Sequence, residues 1–333
     1  MSESAQTVSV TDRVKPVSFG ISVTALHFID GAAAAVASEA AVVLLATDGT
    51  TRRIEAATGA ILSSASNGRR VVLGCDDGRV NVLDGGGEVQ TIATDAKRRW
   101  IDNVALHGDG SVAWSAGKTA SVRQPKGEQK SLDVASTVGG LAFAPKGFRL
   151  AIAHYNGATL WFPNMAGKPE TLEWKGSHLG VTFSPDARFL VTSMHEPALH
   201  GWRLADVKHM RMTGYPGRVR SMQWTAGGKA LATSGADSVI LWPFAGKDGP
   251  MGKQPAMLGP LPTRVTTIAC HPASDVIAAG YADGTVLMLR MEDGAEILVR
   301  RNDGVAIAGL AWNADGARLV FATEAGEGGL LAL

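Results

Sequence analysis

The sequence predicts an all-β protein, on three observations. Its apolar residues fall in runs of 4–7 between tight turns, whereas a helix would show apolar spacing at i, i+3 and i+4 over about ten residues or more. The turns also recur at a near-constant interval. Aligned on the turn after each unit's first strand, the anchors are Asp30, Asn67, Gly108, Pro145, Pro185, Ala226, Pro272 and Ala314; subtraction gives spacings of 37, 41, 37, 40, 41, 46 and 42. Glycine is abundant, 40 of 333 residues with no collagen period, as many tight turns require, because glycine alone reaches positive φ cheaply. A period near 40 made of short strands is the mark of a β-propeller, a ring of blades each built from one four-stranded sheet.

Residues 178–204 set the pattern. Val181 and Phe183 lie in a first strand, Ser184-Pro185-Asp186 make a turn, 189–193 form a second strand, and a third ends on Trp202. The two N-terminal units are degenerate copies, with strands expected at 23–29, 33–37, 41–46 and 51–56, then at 61–65, 71–74 and 80–83. The third has strands at 101–106 and 112–115. From the fourth the copies sharpen: 141–153, 181–193 and 222–234 nearly superimpose, and their third strands end on Trp161, Trp202 and Trp242. The seventh repeats the plan at 267–280 with Leu289 in the tryptophan position.

Here the sequence resembles the WD-repeat family. Ser177-His178 is similar to its Gly-His, 183–187 to its Phe-Ser-Pro-Asp-Gly turn, and Trp202-Arg203 to its terminal Trp-Asp. The resemblance is loose over the whole chain and good over 139–320. It is also divergent, because Phe162, Arg203 and Pro243 stand where the family has the aspartate. The family's His–Ser–Asp–Trp network is represented in unit five by His178, Ser193 and Trp202. In unit six Ser234, Asp237 and Trp242 remain, with Arg218 in the histidine position. Such blades must lean on apolar packing.

Eight anchors favour eight blades over seven. The eighth unit supplies only three strands, 307–312, 318–322 and 329–333, so the fourth is expected from the N-terminus at 13–19. That pairing closes the ring and removes an exposed edge. Pro16 suits an outermost strand, since it has no N–H for a central ladder. The expected organisation is a flexible N-terminus at 1–12 and a single propeller domain at 13–333. The insertion at 246–261, with four glycines and three prolines, reads as an exposed loop.

Charge bears on partners. With 32 basic and 31 acidic residues the formal net charge is +1, which supplies no concentrated basic surface for nucleic acid. The run 32–46 is broken by Ser38 and Glu39, short of the roughly 18 apolar residues of a membrane helix. Cys75 and Cys270 lie far apart within apolar runs, as buried thiols of a reducing compartment do. The polar N-terminus has no signal-peptide core. The expectation is a cytoplasmic monomer.

No phosphate loop, GxSxG or CxxC occurs, so neither an enzyme nor a cofactor is expected. What the family resemblance implies instead is an interaction scaffold presenting rim loops to proteins or peptides. Arg218, Arg264 and Trp100 precede first strands, and His195 and Tyr281 lie near second-strand turns. With His178 they are the expected partner-binding residues, because arginines and aromatics dominate protein interfaces. Two arginines suit bidentate contacts with carboxylate-bearing peptides. The alternative is a metal- or small-ligand-binding propeller using His154, His178 and His195 at one channel mouth.

Overall fold

The computed structural model describes residues 8–333. The apolar runs are strands: Val23–Ile29, Ala32–Ala37, Ala41–Leu45 and Thr51–Glu55 make unit one, and the later units repeat the order. Within each unit the first strand is innermost and the chain winds outward through antiparallel neighbours. The middle strands are wholly buried, as in Ala41–Leu45, because neighbouring units cover both their faces. Outer strands such as Thr51–Glu55 have a free edge and are polar and exposed.

First strands touch in succession around an axis, and Ile307–Trp312 of unit eight returns against Val23–Ile29 of unit one. The ring is closed by the N-terminal segment. Lys15–Ser18 pairs antiparallel with Glu327–Ala332, Pro16 lying opposite Gly329 on the outermost position. Of the segment expected to be flexible, residues 1–7 lie outside the described residues. Val8–Ser9 add a fifth strand to unit seven, pairing in parallel with Ile297 and Leu298.

The blade count needs correction. Eight repeat units are present, but they form seven hydrogen-bonded sheets, one of six strands. Counted as hydrogen-bonded bodies, the blades number seven, not eight. The cause is the join between units four and five. Every other unit passes to the next through a loop, but Glu170–Phe183 runs as one strand of 14 residues. Its first part pairs with 157–160 as the outer strand of unit four; its second pairs with 190–194 as the inner strand of unit five. Only Trp174-Lys175-Gly176-Ser177 link the two roles, too few residues to leave the extended path. The two halves of this wide sheet face each other across Leu160, Phe183, Leu190 and Trp202.

Trp161, Trp202 and Trp242 are all buried. The polar networks around them differ from the expected ones. His178 meets the hydroxyl of Thr192 at 2.7 Å, not Ser193. In unit six Tyr215 takes the histidine's part: Trp242 Nε1 donates to its hydroxyl at 2.7 Å, and that hydroxyl meets Thr233 Oγ1 at 2.7 Å. Arg218 is exposed and has no place in this network.

The 246–261 insertion is not a free loop. Asp248 pairs with Arg203, and Arg188 donates to the Gly246 carbonyl at 3.3 Å. Gly249 (φ 60) is buried against Phe189 and Phe244, where a Cβ would lie 3.1 Å from the Phe189 ring. The segment therefore ties unit six to unit five, then leads into the outer strand Ala256–Leu258.

Candidate functional site

The two ends of the channel differ in chemistry. The loops before first strands and the turns after second strands share one end, and there the channel opens into a cavity of about 900 Å³. Arg218, Arg220 and Arg264 line it, and among the described residues Glu324 is the one acid that does. The opposite end opens into about 710 Å³ between Phe28, Trp224, His271 and Trp312, with Asp315 as its charged residue.

Local packing places the arginines. In Arg218-Val219-Arg220 the central valine is buried against Tyr215, Ala236 and Ile240, leaving the flanking side chains exposed. The backbone N–H groups of Arg220 and Ser221 both donate to Ser234 Oγ, at 3.3 and 3.0 Å, fastening this loop to the neighbouring turn. Arg264 precedes the buried Val265, and its carbonyl accepts from Ala282 N at 2.8 Å. Its guanidinium lies over Gly217, where a Cβ would come within 3.4 Å of Cζ. The glycine thus lets arginines from consecutive units share one mouth. None of the three forms an ion pair among the described residues. They are cations held in a concave site, where low-dielectric walls focus the field.

Of the other expected contact residues, Tyr281 is 0% exposed and His178 1%. Both must be withdrawn from the surface. The Tyr281 hydroxyl donates to the Gly259 carbonyl, and burial raises its pKa. His195 is exposed and Trp100 is 63% exposed, but neither lines the basic mouth. Beside Trp100, Arg99 is engaged by Asp95 at 2.7 Å, a bond that holds the Asp95 carboxyl down at about 2. Sequence reasoning missed Arg220. Its signal was the Arg-Val-Arg alternation ahead of a first strand.

The three histidines of the metal alternative do not assemble a ligand set. His178 Nε2 donates to the Trp174 carbonyl at 2.9 Å while Nδ1 faces Thr192. His154 Nδ1 donates to the Tyr155 carbonyl and Nε2 meets Thr159, both at 2.9 Å. Among the described residues no group of three or more metal-type side chains converges.

His200 is the unusual imidazole of unit five. It is 0% exposed, both ring nitrogens lack a partner among the described residues, and it stacks on Trp174 at 4.1 Å and meets Trp202 edge-on at 4.7 Å. Burial, helped by the nearby His178, His209 and Arg211, pushes its pKa down to about 3. The unfolded chain binds this proton as pH falls through its ordinary value of 6.5, while the folded chain resists until about 3. Stability is therefore lost as pH falls through that window. His200→Phe fills similar space without orphaned nitrogens and should recover about 2 kcal/mol of the acid loss near pH 4.5. Urea titrations of both proteins near pH 7 and pH 4.5 check this; parallel acid losses would contradict it.

A closed ring of four-stranded repeats with one basic mouth defines the class, a β-propeller with one basic end. Residues 257–288, which run from the outer strand of unit six into unit seven, match the family described as "WD domain, G-beta repeat". The match falls on unit seven, although unit five carries the fuller set of family residues. The fold is similar to a crystal structure of the computationally designed Ika8 protein, with a TM-score of 0.73 at 18% identity over 99% of this chain and 100% of that one. No curated protein matches the sequence. The chain is a β-propeller whose residues 257–288 match the WD repeat.

Proposed function

We propose that this propeller is a non-enzymatic interaction scaffold whose partner, a protein or peptide, docks at the basic mouth. The observation that carries the reading is the set of three arginines from two consecutive units, held by glycine and valine packing and without carboxylate partners among the described residues. Unpaired arginines fixed at a concave opening bring little to stability. They are well suited to recognition, since the planar fork pairs with carboxylates at low ordering cost. Cys75 and Cys270 are buried free thiols whose pKa burial raises to about 12. Unreactive unbridged thiols fit work in a reducing cytoplasm. No helix of the described residues is long and apolar enough to cross a membrane. The test is joint replacement of Arg218 and Arg264 by alanine, expected to spare the fold and weaken partner capture.

A further inference from the structure

The geometry points to a more specific ligand: we propose that the mouth receives an acidic tip of the partner, a short peptide end or loop carrying two or more carboxylates, with Arg220 as a third contact. This rests on the mouth being the docking surface. The charge balance there is three arginines against Glu324, in a protein whose formal net charge is only +1. The excess is local. Asp95, Asp206, Asp293 and Asp303 each engage an arginine elsewhere, whereas no carboxylate among the described residues neutralises the three at the mouth. Arg218 and Arg220 flank the anchored Val219, and Arg264 leans over Gly217, so the cations come from both sides of one boundary between units. The Thr267 hydroxyl adds a neutral donor beside them, while Ser22 and Thr24 donate to the Glu324 and Val36 carbonyls and present only oxygen lone pairs.

Size argues for a tip rather than a polymer. A cavity of about 900 Å³ is of the scale that encloses a compact ligand. Nucleic acid would need a basic track continuing beyond it. The opposite mouth, aromatic and bearing Asp315, gives no such continuation through the channel.

The probe is fluorescein-labelled hexaglutamate, titrated with the full chain and followed by anisotropy at low and physiological salt. Hexaglutamate should bind, hexalysine should not, and added salt should weaken binding. Replacing Arg218, Arg220 and Arg264 by glutamine should weaken it roughly tenfold or more. Replacing Lys126, Lys146 and Lys168 removes the same charge from exposed turns at the other end of the ring, and should change binding by less than about twofold. Equal losses in the two triple variants, or no binding of hexaglutamate at low salt, would overturn the proposal. So would inorganic phosphate or a phosphoserine peptide binding where hexaglutamate does not. If the Arg218/Arg264 pair is needed for capturing the natural partner but not for hexaglutamate, the docking mouth stands and the acidic ligand falls. If neither depends on the pair, both readings fall.

Discussion

Trp202→Ala should cost about 3–5 kcal/mol of folding stability, the range for truncating a large buried aromatic. Trp202 is 1% exposed and packs among Leu160, Phe183 and Leu190, where units four and five face each other within the six-stranded sheet. Its ring also meets His178 at 5.6 Å and His200 at 4.7 Å. Truncation would therefore leave a cavity beside the already unsatisfied nitrogens of His200. Against a total stability of about 5–15 kcal/mol, such a loss threatens the fold itself. Trp100→Ala is the matched control. That side chain is 63% exposed, so its removal should stay within about 0.5 kcal/mol. Urea titration followed by circular dichroism separates the two. A loss below about 1 kcal/mol for Trp202→Ala would mean that the interface between these units is packed otherwise.

Deleting residues 1–18 should open the ring. It removes Lys15–Ser18, leaving Glu327–Ala332 with a bare edge, and takes away Val10 and Val14, which pack beside Trp312 and Leu331. Arg13 Nη2, which donates to the Ala332 carbonyl at 3.1 Å, and Lys15, which reaches the Asp48 carbonyl in unit one, go with it. An unpaired strand end is a template for other chains, so the truncated protein should self-associate and melt at lower temperature. Removing only residues 1–7 leaves every described contact intact and should change little. Deletion of 1–10 should fall between, because Val8–Ser9 and the Val10 N–H hold the edge of unit seven. Size-exclusion chromatography of the three truncations orders them. A monomeric 1–18 deletion with unchanged melting would show that closure does not depend on this strand.

The extent to which the sequence disclosed this arrangement follows from the range of the interactions involved. Strand positions were legible because they depend on local apolar runs and turns, and 23–29 and 307–312 agree to the residue. The N-terminal closure was legible by counting strands. Roles that depend on partners distant in sequence were not. Tyr281 looked like a turn aromatic, yet its hydroxyl finds Gly259 across a neighbouring loop and its ring goes inward. Tyr215 replaced a histidine from three residues upstream of the expected position, where no motif points. The sheet count failed for a related reason: a four-residue link can turn or stay extended, and only the packing of units four and five decides. At the mouth, Arg218 and Arg264 were visible from their place before first strands. Arg220 became visible only once Val219 was seen to be an anchor.

Partner capture by the Arg218→Ala/Arg264→Ala protein, compared with wild type in the native cell extract, tests the central claim most directly. Both side chains are exposed and unpaired among the described residues, so the double variant should keep its melting temperature within about 2 °C, as surface changes do. Against that unchanged fold, recovery of the partner identified with wild type should fall by roughly tenfold or more. The Lys126→Gln/Lys146→Gln/Lys168→Gln protein, altered at the other end of the ring, should recover it as wild type does. Equal recovery by the double variant and wild type would contradict the assignment of the basic mouth as the working surface.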